Sequence, residues 1–402
     1  MSWKDISLGS AIHVKHGFAF KGEFFADKGQ YIVLTPGNFN EAGGFRVRPE
    51  KDRAYVGDIP EAYILEENDL IVAMTEQGAG LLGSAALVPQ ENRYLHNQRL
   101  GLIDQIDTSL LDKRFLYLLF NTRSVRAQIS GSASGTKVRH TAPERIYRVQ
   151  VRVPNVSTQV AIAETILAYD NLIENNRRRM TLLEDSARLL YSEWFVRLRF
   201  PGFEHTRIVD GVPQGWERKV LGDLCRDIRD LVLPEAMGPD TPYIGLEHMP
   251  RRSISLNEWG TAEQVTSSKS RFKAGEIIFG KIRPYFHKVG VAFVDGVASS
   301  DAIVIRPVYD ALHGLVLMTM SSDEFVAVTA QQMKEGSKMP RADWKQMQAY
   351  AVPLPPPGLL SNFDDVIQPI ISQLKTLSFA NQKLRAARDL LLPRLMSGEL
   401  AA

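Results

Sequence analysis

Apolar residues recur every three to four positions through the middle of the chain. From Ile162 the steps of four and three reach Ile166, Tyr169, Ile173, Asn176, Met180, Leu183, Ala187, Leu190 and Trp194. Only Asn176 is polar, and no Pro or Gly falls between them. A 3.5-residue period held this long predicts one helix over residues 157–195 with a narrow coiled-coil seam. At 1.5 Å per residue it would span roughly 58 Å. A second seam runs Phe363, Ile367, Ile370, Leu374, Leu377, Asn381, Leu384, Arg388 and Leu391. It too carries an Asn. Pro369 lies within its first turns, which predicts a late start or a bend. Each narrow stripe needs a cover, and each is the other's natural partner.

The flanking segments have a different rhythm. Short apolar runs at Tyr31–Leu34, Leu70–Ala73, Leu100–Ile103 and Val149–Val153, separated by Gly and Asn, predict strands. One helix is expected over Phe115–Ile129. The segment RLRFPGFEHTRIVDGVPQGW holds two Pro and three Gly without periodicity, and reads as a linker. The expected order is a mixed domain over 1–155, a helix over 156–196, a linker over 197–215, a second mixed domain over 216–355 and a helix over 358–397. The fold class is α+β.

The two halves also resemble each other. Trp3-Lys-Asp-Ile-Ser-Leu-Gly9 matches Trp216-Glu-Arg-Lys-Val-Leu-Gly222, and Asp69-Leu-Ile-Val-Ala73 matches Glu276-Ile-Ile-Phe-Gly280. Gly135-Thr-Lys-Val-Arg139 is echoed by Gly336-Ser-Lys-Met-Pro-Arg341, and Val151-Arg-Val-Pro154 by Tyr350-Ala-Val-Pro353. The offset drifts between 199 and 213 residues, too long for a solenoid repeat. A duplicated domain–helix unit is expected. Antiparallel helices would then give a pseudo-twofold axis.

Composition narrows the class. Hydrophobic residues at 44% suffice for real cores, and the single Cys225 excludes a disulfide framework and fits a reducing cytosol. No run approaches the ~20 apolar residues of a membrane span, and the opening MSWKDISLG lacks an apolar signal region. A cytoplasmic protein is expected. The net charge of +2 permits a nucleic-acid partner without requiring one.

Catalytic patterns are missing. No Asn/Asp-Pro-Pro-aromatic motif of a DNA adenine methyltransferase occurs, and Pro355-Pro356-Pro357 lacks its flanks. Gly131-Ser-Ala-Ser-Gly-Thr-Lys137 misses the phosphate-loop spacing by one residue. His13 and His16 have no evident third ligand. Neither metal nor nucleotide cofactor is expected.

The segments Tyr191-Ser-Glu-Trp-Phe-Val-Arg-Leu-Arg-Phe-Pro-Gly202 and Val209-Asp-Gly-Val-Pro-Gln-Gly-Trp216 resemble the central region of type I restriction–modification specificity subunits. Leu391-Leu-Pro-Arg-Leu-Met-Ser-Gly-Glu-Leu400 resembles their C-terminus, and the Trp-x4-Leu-Gly openings resemble the start of their target-recognition domains. The resemblance implies a non-catalytic subunit with two target-recognition domains on helical spacers. Each domain would read half of a split, asymmetric site in double-stranded DNA. Two methyltransferase subunits would bind the spacers, and restriction subunits would join through them. A self-contained DNA-modifying enzyme and a coiled-coil adaptor that binds only protein are the alternatives.

On that reading, basic residues shared by the repeats suit phosphate contact, and divergent ones suit base reading. Lys137 and Arg139, with Lys338 and Arg341, form the shared set. Gln77, Asn97, Gln98 and Arg99 in one half, and Lys281, Arg283, Tyr285 and Ser300 in the other, form the divergent set. Arg and Lys bridge guanine acceptors, and Asn and Gln pair with adenine. The two seam Asn residues could pair with each other or face a partner subunit. Leu182, Leu189 and Phe195 lie off the seam, where they could serve that partner.

Overall fold

The computed structural model describes residues 3–76, 80–331 and 340–401. The chain forms two compact units, Met1–Asp170 with Ala386–Ala402, and Asn171–Arg385. Both long helices, Val156–Tyr191 and Pro357–Ser397, contribute residues to each unit. No helix of the described residues is long and apolar enough to cross a membrane.

In the first unit, strand Lys4–Ser7 pairs antiparallel with Gln150–Val153, the strand that launches the first long helix. The central sheet runs Ile12–His16, Leu100–Ile106, Leu70–Ala73, Ala85–Leu87. All four residues of Leu70–Ala73 are buried, because the sheet is covered on both faces. Strand side chains alternate between faces. Leu70 and Val72 enter one core with Phe115, Leu119 and Ile129, while Ile71 and Ala73 enter another with Leu34, Phe39 and Tyr94. A small sheet, Phe25–Ala26, Ala54–Tyr55, Tyr31–Val33 and Tyr94–Leu95, supplies part of the second cover.

The helix expected over Phe115–Ile129 is two helices, Lys113–Phe120 and Arg123–Gly131. Asn121 breaks it by leaving the helix to pair with Ala85: its Oδ1 accepts from the Ala85 amide at 3.0 Å, and its Nδ2 donates to the Ala85 carbonyl at 3.2 Å. Thr122 then caps the next helix by accepting from the Val125 amide. Of the long helices, Ile162, Ala163, Ile166 and Leu395 are buried in this unit's core. Asp170 accepts from Arg388 at 2.5 Å.

The second unit has the same opening move. Strand Glu217–Val220 pairs antiparallel with Ala351–Leu354, which leads into the second long helix. One sheet runs Cys225–Ile228, Ala302–Pro307, Ile277–Gly280, Val289–Ala292, Ser255–Leu256. Ile277 and Phe279 face the core shared with the helices, and Ile278 faces a separate core with Ile244, Leu256 and Phe272. Met180, Ala187 and Tyr191 meet Phe363, Ile367, Leu374 and Leu377 in the larger core. Asn176 Nδ2 donates to Asn381 Oδ1 at 3.0 Å, and the Trp194 ring lies 5.7 Å from that of Phe363. The later residue on one helix meets the earlier on the other, so the two run antiparallel within this unit. The seam Asn residues therefore pair with each other through one hydrogen bond.

Two further expectations are corrected. Of the late start or bend expected at Pro369 in the second long helix, the late start does not occur. The helix is continuous from Pro357 to Ser397 with Pro369 inside it. Pro369 and Asp365 lie on an exposed face, where water can satisfy the carbonyl that the ring leaves unpaired. Phe195 is not available to a partner. The first long helix ends in a π-turn, Ser192–Val196, which buries Phe195 against Phe363 at 4.8 Å and Trp216 at 5.6 Å.

Candidate nucleic-acid interface

Each unit holds its candidate residues on the same two-bond relay. In the first, the Met74 amide donates to the Arg99 carbonyl at 3.0 Å, and the Met74 carbonyl accepts from the Thr141 amide at 2.9 Å. In the second, the Lys281 amide donates to the Asp301 carbonyl at 2.8 Å, and the Lys281 carbonyl accepts from the Ala342 amide at 2.9 Å. Three segments distant in sequence meet there because a central strand ends beside the turn before its neighbour. The relay is backbone only, so it constrains geometry and leaves the side chains free to differ.

In the first unit the relay continues into a short ribbon, Thr75–Glu76 paired with Arg139–His140. Glu76 is buried. Its Oε2 accepts from the amides of Gly80, Leu81 and Leu82 at 3.1, 3.0 and 2.9 Å, and its Oε1 accepts from Arg139 at 3.2 Å. Arg139 is therefore half-buried and partly neutralised, while Lys137 is exposed on the preceding loop. Asn97 caps its own turn, with Oδ1 accepting from the Arg99 amide at 3.1 Å, and Gln98 and Arg99 are exposed. Beneath that turn His96 is fully buried and donates from Nε2 to the Leu100 carbonyl at 2.9 Å. Its Nδ1 has no hydrogen-bond partner among the described residues. Burial pushes its pKa down to about 4, so the ring is neutral. Gly17 packs against the Asn97 carbonyl where a β-carbon would collide.

In the second unit backbone contacts bring the Lys281–Arg283 turn beside Asp301 and Arg341. Ile282 bridges Arg341, and the Arg283 amide donates to the Pro340 carbonyl at 3.0 Å. Arg341 pairs with Asp301 at 3.0 Å. Desolvation lowers the Lys281 pKa, and Asp301 opposes that shift. Arg283, Tyr285 and Ser300 are exposed. Gln77 and Lys338 lie outside the described residues.

Sequence reasoning missed several participants. Glu76 and His96 shape the turns without reaching solvent, and nothing local marks them. Arg251, whose guanidinium lies 3.8 Å over the Phe286 ring, is signalled only by an Arg-Arg pair. Among the described residues no group of three His, Cys, Asp or Glu could hold a metal. The Cys225 thiol is buried, and its pKa is pushed up to about 12, which leaves it a poor nucleophile.

The arrangement presents two sets of hydrogen-bonding side chains on related frames, which suits recognition of an extended polar partner. The crystallised type I restriction–modification S subunit from M. genitalium shares this fold, with a TM-score of 0.65 at 15% identity over 98% of this chain and 96% of that one. Residues 1–185 match the family described as the type I restriction modification DNA specificity domain. The type I restriction enzyme MjaIX specificity subunit of Methanocaldococcus jannaschii is 22% identical over 305 residues, 71% of this chain and 68% of that protein. The EcoDI specificity subunit of Escherichia coli is 23% identical over 301 residues, 68% of this chain and 65% of that one. The chain is thus similar over its first 185 residues to the type I DNA specificity domain, and at 22–23% identity to specificity subunits of type I restriction enzymes. The matched domain is, by its description, one of DNA specificity.

Proposed function

We propose that the chain gives a cytoplasmic type I complex its DNA target. Residues 1–155 and 216–355 act as two target-recognition domains, each reading one half of a bipartite, asymmetric site in double-stranded DNA. The helical segments 156–196 and 358–397 form an antiparallel spacer in a pseudo-twofold repeat, set the distance between half-sites and dock two methyltransferase subunits. Restriction subunits join through those. The observation that carries this reading is the shared relay with different occupants. Met74, Arg99 and Arg139 stand on one frame, and Lys281, Asp301 and Arg341 on the other. A common scaffold with divergent donors and acceptors suits two half-sites of different sequence. Docking is supported by Leu182 and Leu189, one heptad apart and 67% and 60% exposed on the first long helix, where a partner helix would cover them. Replacing residues 1–155 with a relative's recognition domain should change one half of the modified motif. Loss of both halves in a folded chimaera would overturn the two-reader assignment.

A further inference from the structure

The turn Pro284–Phe286 sits between Arg283 and His287, both left-handed at φ 50°. His is among the residues enriched in this conformation but Arg is not, so the strain lies chiefly at Arg283. Strain of this kind persists only where the surroundings enforce it. Here the Phe286 amide donates to the Arg283 carbonyl at 2.9 Å and the His287 amide to the Pro284 carbonyl at 2.8 Å. The Arg252 amide donates to the His287 carbonyl at 3.0 Å, and Pro284 and His287 are buried beneath the turn. The base is locked, and what it holds out is Tyr285.

Tyr285 is 48% exposed. Its ring stands edge-on to Phe286, with centroids 5.0 Å apart at 73°. Phe286 lies under the Arg251 guanidinium at 3.8 Å and near that of Arg283 at 6.0 Å. An exposed aromatic tip on Phe286, with two guanidiniums beside that ring, matches a polyanion with stacked apolar faces. A flexible tip would pay for ordering on binding, and this one is already ordered. Resting on the DNA-reading assignment above, we infer that Tyr285 is a stacking wedge. Its ring enters the half-site read by the second unit and stacks at a base step, while Arg251 and Arg283 take the flanking phosphates. Wedges of this kind unstack and kink the duplex, most easily at pyrimidine–purine steps. The segment in the first half that corresponds in sequence, Met74-Thr-Glu-Gln77, has no aromatic residue. That half-site is the internal reference.

The test uses the full chain with its methyltransferase subunit and duplexes bearing the mapped site. 2-Aminopurine is placed at successive positions of both half-sites, away from the methylated adenines. Emission should rise at one step of the second half-site, persist in Tyr285→Phe and Tyr285→Trp, and vanish in Tyr285→Ala. Tyr285→Ala should also weaken binding about 5- to 150-fold, the range for losing one base–aromatic stack. The salt slope should not change, because no phosphate contact is removed. Matching melting temperatures exclude misfolding, and Tyr285→Leu replaces the Ala variant if that unfolds. Parent-like binding by the ring-less variant, or a reduced salt slope with unchanged emission, would overturn the wedge. A parent complex that fails to discriminate any bipartite site would instead overturn the DNA-reading assignment.

Discussion

Replacing Glu184 with Ala should loosen the first long helix from the body of the second unit. Glu184 is buried. Its Oε1 accepts from the Ser253 and Ser255 hydroxyls, both at 2.7 Å, and its Oε2 accepts from Arg188 at 3.2 Å. Ser255 is fully buried, so Glu184→Ala strands its hydroxyl without an acceptor. Hydrogen bonds to a charged group contribute about 1.5–3 kcal/mol each, and breaking a buried pair costs about 3–5 kcal/mol. Arg188 keeps Asp185 and the Arg252 carbonyl, which places the loss at the lower end, about 3–4 kcal/mol. For a unit of roughly 200 residues, that lowers Tm by about 6–16 °C. Glu184→Gln keeps one carbonyl oxygen for both serines but turns an amide toward Arg188, and should cost about half as much. Trp194 and Trp216 lie in the same core and report its unfolding in urea. A Glu184→Ala chain within about 1 kcal/mol of the parent would refute the reasoning. Equal losses for Ala and Gln would show that the charge, not the serine pair, holds the helix.

Three other outcomes are expected. Asn176→Leu alone strands the Asn381 amide and should cost about 1–3 kcal/mol, whereas adding Asn381→Leu should recover most of it; additive losses in the double-mutant cycle would contradict the pairing. His96 has a folded pKa near 4 against about 6.5 unfolded, so its penalty is absent above pH 6.5 and grows as pH falls toward 4, reaching about 3 kcal/mol. His96→Gln should flatten the fall in stability over that window, and an unchanged pH profile would contradict the assignment. Lys137→Ala should weaken matched and mismatched DNA alike and reduce the salt slope by about one, whereas an altered motif preference would make Lys137 a base reader.

What was legible in the sequence was periodic. Steps of 3.5 put Asn176 and Asn381 into apolar seams, and the structure pairs them. The unbroken run Leu70–Ala73 is a strand buried on both faces. What was not legible depends on distant partners. The pairing of Glu76 with Arg139 spans 63 residues, and two-residue strands leave no alternation to detect. The break at Asn121 follows from its bonds to Ala85, 36 residues away. Pro369 carried the right local signal, yet on an exposed face water can satisfy the carbonyl that its ring leaves unpaired. The left-handed pair at Arg283 and His287 was invisible because neither residue type marks a turn.

The central claim is that two readers on one chain direct methylation to a split site. It is tested most directly by mapping modified adenines in DNA from cells that express this chain with its cognate methyltransferase subunit. The expected result is one motif of two defined halves with a spacer of fixed length and free sequence, present only when both proteins are expressed. A single contiguous motif, or methylation by the chain without the methyltransferase, would contradict it.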